Sequence, residues 1–344
     1  MTSFVPKLSR ILAVTTRAAA AAAVLTVCVS AAHAEGQVLP RDVPKGTKLV
    51  VGDQNERLQT LIIASGEQAK LAADVTYANF IGGPAILEAF RAGALDLATV
   101  GSTPPIQAQA AGEEIPIVAA QRTSEPDYKL AVRPGLKINT LEELRGKKIA
   151  YAEGTGRQPF ILNALKQAGL TTKDVTLVRL RASDFPDAIR GGQVDVASLN
   201  EPHFSRYLTK FEGSSVLPDS QHDRLPRNTQ YLYASAAALK DPAKTAAIRD
   251  FIIHWIAANR WSEKDPAAWI DAYYVKKQNL KAEDGKAITD AEGITAFPLL
   301  KDLIAPQQAT IDLIYEAGDI PKRLDAKAEF DLRFDEVLAN APTN

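Results

Sequence analysis

Cysteine occurs once in the 344 residues, at Cys28, and methionine occurs once. A single cysteine near the N-terminus leaves the rest of the chain without a disulfide framework, a thiolate nucleophile or a cysteine-based metal site. Histidine is almost as scarce, with four in the chain. One lies in the leader, and His203, His222 and His254 are far apart with no i,i+4 pair, which argues against a metal centre. Charge of one sign is lacking too. The formal net charge is −1, so no basic field invites nucleic acid. The apolar stretch Ala18–Ala31 is shorter than the ~20 residues needed to span a bilayer. G-x-S-x-G, Walker A and Rossmann signatures are all missing. These absences remove the commonest enzyme classes and call for no cofactor.

What is present is globular. The chain is 46% hydrophobic and 24% charged, and it is long enough for two lobes of ordinary domain size. Residues 1–34 read as a secretory signal peptide. Lys7, Arg10 and Arg17 form its basic region, Ala18–Ala31 its apolar core and Ala32-His33-Ala34 its cleavage site. Val27 precedes Cys28, where a lipid-modified cysteine wants a small neighbour, so simple secretion is expected. Removing Lys7, Arg10 and Arg17 takes the formal charge from −1 to −4. The expected place is the periplasm, as a soluble protein.

One stretch occurs twice. Ala89-Phe-Arg-Ala-Gly-Ala-Leu-Asp-Leu-Ala-Thr-Val-Gly101 returns as Ala188-Ile-Arg-Gly-Gly-Gln-Val-Asp-Val-Ala-Ser-Leu-Asn200. Each copy reads as a helix end, a glycine stop and a short apolar strand. Asp96 and Asp195 hold equivalent positions, which suits a structural role at strand-start or loop N–H groups. Around each copy, strands and helices alternate: strands at 47–51, 74–80, 95–100 and 115–120, then 148–151, 175–180 and 194–199. Such alternation predicts mostly parallel sheets covered on both faces. The segments 128–132 and 230–234 are apolar and β-prone, and read as crossings between lobes. From Pro242 onward the chain is helical, with Ile248, Phe251, Ile252, Trp255 and Ile256 on one face. The expected division is 35–131 with 232–344 as one lobe and 132–231 as the other. Two crossings would let the lobes close on a ligand.

Ligands in open α/β sheets sit beyond strand carboxyl ends, beside helix N-termini, where partial positive charge and unpaired N–H groups suit an oxyanion. Three loops qualify. One carries Gln54. The second is Gly101, Ser102 and Thr103, where either hydroxyl can cap the helix. The third is Thr155, Gly156, Arg157 and Gln158, where Arg157 can add a bidentate contact. Taken singly, each loop reads as an ordinary capped helix, and weight comes from their convergence. Asn200 and Glu201 end the repeated strand. Asn200 can hydrogen-bond ligand oxygens. Glu201 can cap its own helix, pair with Arg157 or a crossing-segment arginine, or meet an amine on the ligand. His254 reads as packing, and His203 has no nucleophile beside it.

These segments resemble the substrate-binding proteins of ABC importers for aliphatic sulfonates, taurine and nitrate. The carrying residues are Gly82-Gly83-Pro84 through Asp96, Gly101-x-x-Pro104-Pro105-Ile106 through Gly112, Leu141 through Ala150, Gly154-Thr155-Gly156, and Gln193 through Ala197. The resemblance implies an α/β, bilobed type II periplasmic-binding-protein fold: two mixed, mostly parallel sheets flanked by helices and joined by a two-strand hinge. It implies capture of a small organic anion and its delivery to a membrane permease by a monomer. It also implies binding positions at Gln54, Gly101–Thr103, Thr155–Gln158 and Asn200-Glu201. The chain departs from the family where Ser102 replaces a common Asp and Asn200-Glu201-Pro202 replaces Trp-Asp-Pro. Losing that aromatic wall shifts expectation toward a more polar sulfonate or a sulfate ester. The alternative is an enzyme on the same fold, similar to sulfinate desulfinases or pyrimidine synthases, which use cysteines that the mature chain lacks. A ligand-sensing role shares every one of these features.

Overall fold

The computed structural model describes residues 38–341. The signal peptide, its cleavage site and Cys28 lie outside the described residues.

Two sheets carry the molecule. The first opens with β1 (Lys48–Gln54), β2 (Asp74–Phe80) and β3 (Leu97–Val100). Helices α1 (Arg57–Ala64) and α2 (Gly83–Arg91) connect them, and β1 pairs in parallel with both neighbours. Parallel pairing requires such crossovers. After α3 (Thr103–Ala110) come β4 (Ile117–Thr123) and then β5 (Lys129–Val132), which opens the second sheet. There β6 (Lys148–Tyr151) pairs in parallel with β7 (Thr176–Arg179) and β8 (Val196–Leu199). Helices α4 (Arg157–Gln167), α5 (Phe185–Arg190) and α6 (His203–Lys210) belong to this half. The short β9 (Ser215–Val216) is followed by β10 (Gln230–Ala234), which returns to the first sheet, and β11 (Thr295–Ala296) closes that sheet's edge.

The strand orders are β11-β4-β10-β3-β1-β2 and β7-β6-β8-β5-β9. Within them the sequence repeat becomes geometry: β10-β3-β1-β2 answers β5-β8-β6-β7. The crossing strands enter antiparallel, β10 against β3 and β5 against β8, which makes both sheets mixed.

The two repeat aspartates do the same work. Asp96 Oδ2 accepts from the Val50 N–H at 2.9 Å and its Oδ1 from Lys244 Nζ at 2.6 Å. Asp195 Oδ2 accepts from the Lys148 N–H at 2.9 Å and its Oδ1 from Arg133 Nε at 2.8 Å. Each carboxylate therefore takes up an N–H in the first half of the strand beside it and pairs with a nearby cation, a structural role for both.

Burial follows the apolar pattern. Leu49, Val51, Leu97 and Ile117 lie fully buried in one cluster with Leu232. Helix α7 (Pro242–Lys264) covers that cluster with Ile248, Phe251, Ile252 and Trp255. Its start is fixed by Pro242 in the first turn and by the Asp241 carboxylate, which accepts from the Ala243 and Lys244 N–H groups, the preferred N-terminal chemistry. A second cluster holds Leu130, Ile149, Tyr151 and Ile161 around the second sheet. Residues 304–326, expected with the first lobe, contribute Ile311, Ile314, Leu324 and Ala326 to this second cluster, joined by Ile106 of α3. Helix α8 (Ile304–Glu316) packs on α4, because its buried side chains match the apolar face that α4 leaves bare. Phe330, Phe334 and Leu338 then go back to the first cluster.

Candidate functional site

The N-termini of α3 and α4 meet. A Cβ added at Gly101 would lie 3.5 Å from the Gly156 backbone, so the two chains run side by side there. Thr103 Oγ1 donates to the Thr155 carbonyl at 2.9 Å across the same boundary. The expected hydroxyl cap of α3 is therefore not made: neither Ser102 nor Thr103 caps the helix, and Thr103 bridges to the other half instead. Gly156 is held to glycine by its neighbours, since a Cβ would fall 2.8 Å from the Tyr128 hydroxyl.

Arg157 begins α4 and is fixed on all sides. Its Nη2 donates to Asn200 Oδ1 at 2.5 Å and its Nε to the Ser198 carbonyl at 3.2 Å. The guanidinium lies 5.0 Å from the centre of the Tyr128 ring and 5.8 Å from that of Phe185, distances at which a cation is attracted to the ring faces. Arg157 and Asn200 are thus brought together. Desolvation first, and the Arg157 and Arg206 charges next, hold the His203 pKa below its ordinary value.

Other expected residues are placed differently. Gln158 is 2% exposed, and both ends of its amide are occupied within the chain. Its Oε1 accepts from the Gly154 N–H at 2.9 Å and its Nε2 donates to Asp319 Oδ2 at 2.7 Å. It staples the loop from within. Thr155 turns its hydroxyl onto the Ala152 carbonyl at 2.8 Å. Gln54 ends β1 with its Nε2 on the Thr99 carbonyl at 3.1 Å. Glu201 caps its own helix, accepting from Ser205 Oγ at 2.7 Å and from the Ser205 N–H at 3.2 Å, the reading in which its charge serves the helix start. Of the three histidines, His222 is buried and takes the Leu130 N–H on Nε2 at 2.8 Å. His254 Nδ1 meets Glu67 Oε2 at 2.6 Å. Among the described residues no group of His, Cys, Asp and Glu could hold a metal.

The chain order hid several neighbours of the site. Arg57 opens α1, pairs with Glu292 at 2.9 Å and lies over Trp269 and Tyr273. Asp127 is held by Asn228 Nδ2 at 2.8 Å and Thr123 Oγ1 at 2.9 Å. Burial raises the Asp127 and Glu201 carboxyls above their ordinary values, and Glu292 adds to both. Arg122 at the end of β4 and Arg227 in the segment before β10 line a cavity of about 80 Å³ that includes Ser102 and Gly156 in its wall.

With this geometry in hand, comparison with known proteins is direct. The family model described as "NMT1/THI5 like" matches residues 74–250. An Escherichia coli (strain K12) protein named "Putative aliphatic sulfonates-binding protein" is 30% identical over 254 residues, covering 74% of this chain and 78% of its own. A Bacillus subtilis (strain 168) protein of the same name is 26% identical over 260 residues, covering 76% and 77%. Among solved structures, the periplasmic aliphatic sulphonate binding protein of Escherichia coli superimposes with a TM-score of 0.71 at 25% identity, over 83% of this chain and 92% of its own. The alkanesulfonate-binding protein of Xanthomonas axonopodis pv. citri, bound to MOPS, gives 0.72 at 24% identity, over 84% and 99%. The two-sheet architecture is the periplasmic-binding-protein fold. Among the described residues no helix is long and apolar enough to cross a membrane.

Proposed function

The chain belongs to the NMT1/THI5-like family, and from that premise we propose that it is the extracytoplasmic solute-binding protein of an ABC importer for a sulfonate or related organosulfur anion. The observation that carries this reading is the meeting of the α3 and α4 N-termini at Gly101 and Gly156, with the Arg157 guanidinium beside them. Two positive helix ends, one from each half, and a fixed cation make a clamp for an oxyanion. The names of the Escherichia coli, Bacillus and Xanthomonas relatives support a sulfonate as that anion.

The lobes follow the two cores: residues 38–131 with 232–303 and 330–341 in one, and 132–231 with 304–326 in the other. They close on the ligand, with Gly101, Ser102 and Thr103 on one wall and Gly156, Arg157 and Asn200 on the other. Gln54 and Glu201 border the same cleft, while Thr155 and Gln158 shape its loop from behind. Asn200 makes the wall polar where an apolar ring would favour a plain alkyl tail, which supports a more polar sulfonate or a sulfate ester. The protein works as a periplasmic monomer, exported by its leader, and hands its cargo to a membrane permease. It is not an enzyme: His203 lacks a nucleophile, and the one cysteine, Cys28, falls within the leader.

The test is thermal melting of the mature protein with a panel of C1–C6 sulfonates and sulfate esters. A bound ligand raises the melting temperature by mass action. Arg157→Ala is expected to weaken that binding about tenfold or more, the size of a lost charge-assisted contact. No shift with any member of the panel sinks the organosulfur assignment.

A further inference from the structure

The cavity of about 80 Å³ opens among α4, α8 and residues 226–231. One water molecule needs roughly 10–15 Å³ of such space, so the cavity has room for a small ion. Its wall is chemically one-sided. Arg122 and Arg227 both line it and no carboxylate does, while Asn163, Asn228 and Thr310 add neutral polar groups. Arg157 and Asn200 are not part of this wall.

The two arginines are unequal in their partners. Arg122 Nε donates to Thr229 Oγ1 at 2.6 Å, which orients the guanidinium. Arg227 Nη2 reaches only to 3.7 Å from Asp223, whose side chain is 66% exposed, so the pair is solvated and weak. Arg227 Nη1 is enclosed and has no hydrogen-bond partner. An enclosed cationic donor without an acceptor is rare in native structures, and an acceptor supplied from outside removes its cost. The nearby buried acid does not neutralise the site. Glu329 is bound by Gln307 Nε2 at 2.7 Å, and burial pushes its pKa up to about 8, which favours its neutral form near pH 7.

We propose that this cavity is a second binding site, for a small oxyanion of the sulfate or phosphate type, with Arg227 Nη1 and the Arg122 guanidinium as its donors. It goes beyond the sulfonate clamp at Arg157, with which it shares only Ser102 and Gly156. An ion there ties α4 of the second half to α8 and to the crossing segment before β10.

The experiment is isothermal titration calorimetry of the mature protein with inorganic sulfate, inorganic phosphate and methanesulfonate, at an ionic strength fixed with chloride. Saturable binding of sulfate or phosphate is expected. Arg227→Gln should weaken it about tenfold or more. Thr310→Leu, which fills the cavity and keeps both guanidinium groups, should weaken it as much. Arg157→Ala should leave it unchanged. Absence of saturable binding of either inorganic ion overturns the proposal. So does binding that survives both cavity variants and disappears in Arg157→Ala. Methanesulfonate binding that depends on Arg227, with no inorganic ion bound, also overturns it, because the cavity would then hold the head group of the transported ligand. Failure of the importer reading looks different: sulfonates fail to bind the unaltered protein while the inorganic ions still do.

Discussion

The two copies of the repeat, Ala89–Gly101 and Ala188–Asn200, are the same object up to their last residue and different objects after it. Asp96 and Asp195 each hold an N–H of the neighbouring strand and a cation, and β3 and β8 occupy the same place in their sheets. At the end of the strand the copies part. Gly101 leaves room for the backbone of the other half, whereas Asn200 supplies a side chain that grips Arg157. The shared portion settles strand order, where backbone pairing tolerates few alternatives. The divergent ends meet at one place, where a side chain can change without disturbing the sheet.

The comparison breaks most visibly if the aspartates are not equivalent. Asp96→Ala and Asp195→Ala should each cost about 1.5–3 kcal/mol, the range for hydrogen bonds to charged groups. Asp96 should lie at the upper end, since its side chain is 11% exposed against 20% for Asp195. Urea denaturation measures both, and a neutral result for either one ends the equivalence. Next in size is a contrast of glycines. Gly156→Ala sets a Cβ 2.8 Å from the Tyr128 hydroxyl, whereas Gly101→Ala makes only ordinary contact at 3.5 Å. The first should lose roughly 1–3 kcal/mol by overpacking, and the second close to nothing. Asn200→Gly makes the second copy end like the first. It should weaken sulfonate binding severalfold by freeing Arg157; unchanged affinity would remove the divergent residue from the site.

A separate prediction concerns pH. Glu329 has a folded pKa of about 8 against an ordinary 4.5, raised by burial. The folded state therefore holds its proton more tightly than the unfolded chain does. Stability falls as pH rises between those values, by at most about 1.4 kcal/mol per pH unit for one proton. Glu329→Gln should flatten the melting temperature between pH 5 and pH 8 relative to the unaltered protein. An unchanged slope would mean that Glu329 ionises freely where it stands.

Much of this architecture was legible before any coordinates, for identifiable reasons. Strand–helix alternation, glycine stops and the repeat are local patterns with fixed periods, and the buried face of α7 was readable from Ile248, Phe251, Ile252 and Trp255 alone. The repeat also made Asp96 and Asp195 structural by their equivalence. What escaped has no local period. Gln158 looks like a loop residue facing a ligand until Asp319, 161 residues away, takes its amide. The bridge from Thr103 to Thr155 and the joint placement of Arg122 and Arg227 depend on where two halves stand relative to each other. Residues 304–326 carry an ordinary amphipathic pattern, and nothing in that pattern says which of two cores will receive it.

That last segment has a mechanical consequence. The chain leaves the core of the first sheet for that of the second after β4 and again after Leu303, and returns to it at β10 and at Phe330. The halves are therefore laced together by four passages, not hung on two. Lacing of this kind resists twist and shear while still allowing bend about an axis running through the laces. Tension applied to the C-terminus would strip Phe330 and Leu338 from one core before it loaded the helix seated on the other, so the protein should yield under force in two steps.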